Sequence, residues 1–210
     1  RLLADRDPVA CASIRHRLAI SVEKHGSHVV AVIAHHDCTG NPVVADLTRD
    51  GVAEIVVCTY AGTLYAVRSD GTVLDGWPRR LPDVPPCSPQ RETSAEPCRG
   101  AGSRVQRGAL ASPVLVDLDG DGRLDVVQAA LDGRVHAYTA DATVLPSWPV
   151  LVRHPDHTEV EPARIVSTPA AADFDGDGVL DLLVGSNQKL GTGGYWGAFY
   201  LLDGRGERPE

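Results

Sequence analysis

Two nine-residue stretches carry the densest chemistry in the chain: DLDGDGRLD from Asp117 to Asp125 and DFDGDGVLD from Asp173 to Asp181. Each has carboxylates at positions 1, 3, 5 and 9 and glycine at 4 and 6. Four carboxylates this close repel one another unless a cation neutralises them. A hard divalent ion wants several oxygens at once, and a loop curled at its glycines can turn the side chains at 1, 3 and 5 inward with the carbonyl of position 7. This donor set selects calcium. One ion would take Asp117, Asp119, Asp121, the Arg123 carbonyl and Asp125. A second would take Asp173, Asp175, Asp177, the Val179 carbonyl and Asp181. A third stretch, DLTRDGVAE, is a degenerate copy with Thr48 at position 3 and Glu54 at position 9. Its donors, Asp46, Asp50, the Val52 carbonyl and Glu54, make a weaker site. An EF-hand opens in the same way but needs a bidentate Glu at position 12 and flanking helices. Position 12 is Gln128 or Val184, inside strand-like runs, so that reading fails.

Each acidic loop sits in a repeated unit, spanning 41–82, 111–152 and 167–210. A unit reads as a short apolar strand, the acidic loop, a β-branched strand (Glu54 to Val57, Asp125 to Val127, Asp181 to Val184), a glycine turn and an alternating strand such as Thr63 to Val67. Units one and two continue through TVLDGWP and TVLPSWP into a fourth strand, whereas unit three ends soon after its third. Sheets this short bury their faces only by stacking, which is the logic of a β-propeller. The fold class expected is mainly β: a partial propeller of three blades after a short α/β segment at residues 1–40. Two polar inserts, 83–103 and 153–164, explain the uneven spacing of the units. Cys87 and Cys98 in the first are candidate disulfide partners, and His154 and His157 in the second read as solvated side chains.

The formal net charge is −8, from 20 basic and 28 acidic residues, which argues against a general nucleic-acid binder. No apolar run approaches the ~20 residues that span a bilayer. There is no Met, and no charged and apolar leader before residue 1, which reads as a mature product or an excised segment.

The stretches PVLVDLDGDGRLDVV and PAAADFDGDGVLDLLVG resemble the FG-GAP/VCBS family of calcium-binding propeller repeats, found in integrin α-subunit heads and in secreted bacterial proteins. The resemblance implies an acidic loop between the first two strands of each blade. GTLYAVRSDGTVLDGW is similar to repeats of quinoprotein-like propellers, which implies that Trp77 and Trp148 dock one blade on the next.

The first forty residues do not fit the repeat. Asp7 before Pro8, an Ile14, Leu18 and Val22 stripe and the Gly26 stop predict a helix from Pro8 to His25. Val29 to Ala34 then reads as a strand covered on both faces. SIRHRLAISVEKHGSHVVAVIAHHDCTGNPV resembles the HxxC segment of β-class carbonic anhydrases, which implies His35 and Cys38 as zinc ligands. That family takes a further Cys and an Asp from a CxDxR motif, and nothing before His35 matches it, so the zinc site is incomplete.

The function expected is an extracellular calcium-binding scaffold for binding or adhesion, with a protein or glycan ligand and no assigned catalytic residue. Alternatives are a β-carbonic-anhydrase-like zinc protein and the propeller part of a polysaccharide-active enzyme. Three blades do not close a ring. Faces such as Leu64, Val67, Val135 and Ala137 are therefore expected to pack on further blades or to drive self-association.

Overall fold

A computed structural model describes residues 42–59, 62–82, 108–152, 164–189 and 195–206. The expected N-terminal helix and strand, His35, Cys38, Cys87, Cys98, His154 and His157 lie outside these residues.

β-Branched residues and alternation lay down three antiparallel meanders. The first blade is β1 (Val43–Ala45), β2 (Glu54–Cys58), β3 (Thr63–Val67) and β4 (Arg79–Arg80), in that spatial order. The second repeats it with β5 (Val114–Val116), β6 (Asp125–Ala129), β7 (Arg134–Tyr138) and β8 (Val150–Leu151). The third has β9 (Ala170–Ala172), β10 (Asp181–Lys189) and β11 (Tyr195–Leu202). Register repeats as well: Val44 pairs with Ile55 and Val56 with Ala66, as Leu115 pairs with Val126 and Val127 with Ala137. Among the described residues there is no α-helix, and none long and apolar enough to cross a membrane.

Because side chains alternate across a strand, each inner blade has two apolar faces to bury. Val56, Cys58, Leu64 and Ala66 of the first blade share one cluster with Val126, Ala130 and Tyr138 of the second. From the opposite face of the second blade, Val127, Ala129, Val135 and Ala137 share another with Leu182, Val184 and Leu202 of the third. The core is thus two layers between three stacked sheets, the arrangement of a partial propeller. Leu64, Val135 and Ala137 are consumed inside the chain and not left on its surface, as the repeat count alone suggested. Val67 is half-buried, and exposed apolar side chains are spread over all three blades, from Val44 and Val73 in the first and Val144 in the second to Phe199, 78 % accessible, in the third.

The tryptophans fasten adjacent blades. Trp77 is buried edge-on to Tyr138, and its Nε1–H donates to the Ala140 carbonyl of the next blade at 2.9 Å. Arg79 Nε donates beside it to the Ala142 carbonyl at 2.8 Å. Trp148 holds the matching place between the second and third blades.

Candidate metal centre

Each acidic loop joins the first two strands of its blade, so its two ends are fixed by a ladder. Between those ends the carboxylates organise the backbone. Asp117 accepts the Gly120 N–H on Oδ1 and the Gly122 N–H on Oδ2, both at 2.8 Å. Asp173 does the same for Gly176 and Gly178, at 2.7 and 3.1 Å. Position 3 accepts the N–H of position 5 (Asp119 from Asp121, Asp175 from Asp177), and position 5 that of position 7 (Asp121 from Arg123, Asp177 from Val179). Position 9, at the start of the second strand, reaches back to position 2: Leu118 N–H donates to Asp125 and Phe174 N–H to Asp181, each at 2.9 Å. These bonds spend some lone pairs on amides and leave others free to converge.

They converge on three carboxylates in each loop. Oxygens of Asp117, Asp119 and Asp125 lie within 4.8 Å of one another, as do those of Asp173, Asp175 and Asp177. Asp121 stands outside the first set and Asp181 outside the second. All six groups offer hard oxygen, the donor chemistry calcium takes, so the residues present fit that ion. Asp125, only 2 % accessible, has its pKa pushed up to about 7. Burial is the largest cause, opposed by the Leu118 N–H and reinforced by the negative charge of Asp119, Asp121 and Asp117. A divalent ion would reverse that penalty by rewarding the charged form.

The degenerate loop is built differently. Asp46 accepts the N–H groups of Asp50 and Gly51, and Asp50 that of Val52. Glu54 Oε2 accepts those of Leu47 and Thr48 at 3.0 and 3.2 Å. With the Asp50 amide turned to Asp46, the Thr48 hydroxyl has nothing to hold. Thr48 Oγ1 and Glu54 Oε1 are both buried without a hydrogen-bond partner. Among the described residues no third set of carboxylates converges.

Two further groups were not legible as a site. Arg205, beyond β11, places Nη1 3.0 Å from Asp177 Oδ2 and 3.1 Å from Asp203 Oδ2. The signal that could have found it is a charge reversal, since the matching turns of the first two blades carry Asp70 and Asp141. Between the first and second blades, His136 Nε2 lies 3.1 Å from Asp132 Oδ2, both buried. Cys58 is buried in the same layer, where burial pushes its thiol up to about 12 and removes it as a nucleophile or metal ligand at neutral pH.

Residues 117–184, which hold both converging sets, match the family model of the FG-GAP-like repeat. Residues 1–59 match that of a putative carbonic anhydrase family, and this match runs through β1 and β2 of the first blade. Among solved structures, the C-terminal domain of PilY1 from Pseudomonas aeruginosa is similar at a TM-score of 0.51 and 14 % identity. The alignment covers 80 % of this chain but 39 % of that one, and at this identity the likeness is one of fold. A search of the curated proteins returned no match.

Proposed function

We propose that this repeat protein binds calcium in its second and third acidic loops and serves outside the cell as a scaffold for binding or adhesion. The observation that carries the calcium reading is the convergence of three carboxylates in each loop. Loops of this kind, without a bidentate Glu at position 12, suit the weaker class of calcium module, which fills at extracellular and not cytosolic concentrations. The buried and unpartnered Thr48 Oγ1 and Glu54 Oε1 favour a third, weaker ion in the first loop. The ligand of the scaffold is a protein or a glycan, and the surplus of acidic over basic residues disfavours nucleic acid. Further blades, or a second copy, would complete the array.

Calorimetric titration of the chelator-stripped chain with calcium chloride tests the reading. About two ions per chain are expected, with Kd values on the order of 10⁻⁴–10⁻³ M. No heat of binding, together with a melting temperature indifferent to calcium and to chelator, would sink it.

A zinc protein is the second reading, favoured by the carbonic anhydrase match over residues 1–59. His35 and Cys38 supply two ligands where a catalytic zinc needs about three. Zinc at one per chain, lost in Cys38→Ser together with carbon dioxide hydration, would establish it over the scaffold reading.

A further inference from the structure

The turn after the third strand of each blade is closed by the same backbone bond: Gly71 N–H to Arg68, Ala142 N–H to Thr139 and Gly206 N–H to Asp203. Its third residue is Asp70 in the first blade, Asp141 in the second and Arg205 in the third. At Asp70 the carboxylate is spent locally, capping Thr72, and at Asp141 it meets Thr139. Arg205 instead reaches out of its turn to Asp177, one of the three carboxylates that converge in the third loop.

The fold holds the arginine there. Leu202, the last residue of β11, is fully buried in the layer between the second and third blades. Gly204 is buried against the third loop so closely that a Cβ on it would come 2.3 Å from the Leu180 carbonyl oxygen and 3.3 Å from that of Leu118. Only glycine admits this approach. Asp203 then accepts the Arg205 backbone N–H on Oδ1 at 2.7 Å and shares its guanidinium on Oδ2. The turn is therefore pressed onto the loop, and the cationic head has two carboxylate partners, of which only Asp177 belongs to the converging set. Among the described residues no ion pair reaches the carboxylates of the second loop.

We propose that Arg205 is a built-in rival cation of the third loop, competing with calcium for the Asp177 carboxylate and making this site weaker than the second. The inference rests on the calcium reading above. Oδ1 of Asp177 is engaged by the Val179 N–H and Oδ2 by Arg205, so an ion that uses Asp177 has to displace the guanidinium or accept a positive charge beside it. Asp203 lies ready to retain the displaced head. At the second loop the Arg49 guanidinium lies beside Gly122 but, among the described residues, neither it nor any other cation forms an ion pair with the loop's carboxylates. The two loops would therefore fill in sequence as calcium rises, the second before the third.

The test is calcium titration by calorimetry of the full chain, stripped with chelator, in an Asp119→Ala background that disables the second loop. Arg205→Gln is expected to tighten the remaining site about two- to five-fold, the range set by a solvent-exposed ion pair. Arg205→Lys, which keeps the charge but not the planar fork, should recover most of the wild-type weakness. An unchanged or weaker affinity in Arg205→Gln would overturn the proposal, because it would mean that the arginine is neutral or supports the bound loop. A chain that takes up no calcium in any form overturns the calcium reading and this one with it, whereas calcium bound with no effect of Arg205 overturns this one alone. Should Asp119→Ala fold poorly, Arg205→Gln in the otherwise native chain serves: its two classes of site should draw together, and classes as far apart as in wild type would count against the proposal.

Discussion

Arg49 sits in the first loop where Gly120 sits in the second, and both are left-handed, at φ 61° and 76°. The position demands that conformation in every loop, which glycine adopts without strain and arginine does not. Arg49→Gly should therefore raise stability by up to about 1 kcal/mol, a gain of up to about 2–4 °C in melting temperature for a chain of this size. A fall on differential scanning calorimetry would show that the placement of the Arg49 guanidinium beside Gly122 outweighs the strain.

Loop inequality makes a second expectation. Asp119→Ala and Asp175→Ala each remove a member of a converging set and should each lose about one bound calcium, with most of the thermal stabilisation that calcium confers through that loop. Asp50→Ala belongs to no such set and should lose less. Equilibrium dialysis against millimolar calcium, with the protein-bound excess read by atomic absorption and paired with melting in calcium and in chelator, reads both effects; equal losses from all three variants would contradict the ranking.

The raised pKa of Asp125 sets a pH dependence for the chelated chain. Its folded value of about 7 lies above the ordinary 3.8, so the neutral carboxyl is the form the fold favours. Its contribution is fully present below about pH 4 and is lost as pH rises through 7. Calcium reverses the sign, because the ion binds only the charged form. Urea melts at pH 5 and pH 8 should thus show the chelated chain relatively favoured at pH 5 by this group, and the calcium-loaded chain relatively favoured at pH 8. Asp125→Asn should flatten the first slope. A slope that persists unchanged in Asp125→Asn would assign the dependence to another group.

Trp77→Phe removes the donor that holds Ala140 and shrinks a side chain in the layer between the first two blades. Loss of the bond and the volume together should cost about 1–3 kcal/mol. Guanidinium unfolding monitored at a probe in the first blade measures it, and a cost near zero would mean that the blades are held without this link.

The blades, their strand order and the place of the loops were legible because period-two alternation and the Asp-Gly spacing are local signals. The converging sets were legible only in part. Spacing put Asp121 and Asp125 on equal terms, and likewise Asp177 and Asp181, and the backbone hydrogen bonds, which match between the loops, do not divide them either: Asp125 turns one oxygen to Leu118 and still joins its set, while Asp181, with the matching bond to Phe174, does not. Arg205 was invisible for a different reason. It is 28 residues from Asp177 in sequence, and only the close approach of Gly204 to Leu180 brings them together. The burial of Leu64 and Val135 likewise depends on which blade follows, a tertiary fact that a strand's own pattern does not contain.

The tryptophan links run one way. Trp77, just before the fourth strand of the first blade, grips the second, and Trp148, at the matching place in the second, lies against the third, whose described strands end at β11. The stack thus has a polarity, and its middle member alone is gripped from one side while gripping on the other. In a nearest-neighbour array such a member opens only when both interfaces have been given up. Amide hydrogens of β6 and β7 should consequently exchange by global unfolding, the slowest route open to the molecule, whereas those of β3 and β11 exchange through openings that release one layer and leave the other intact.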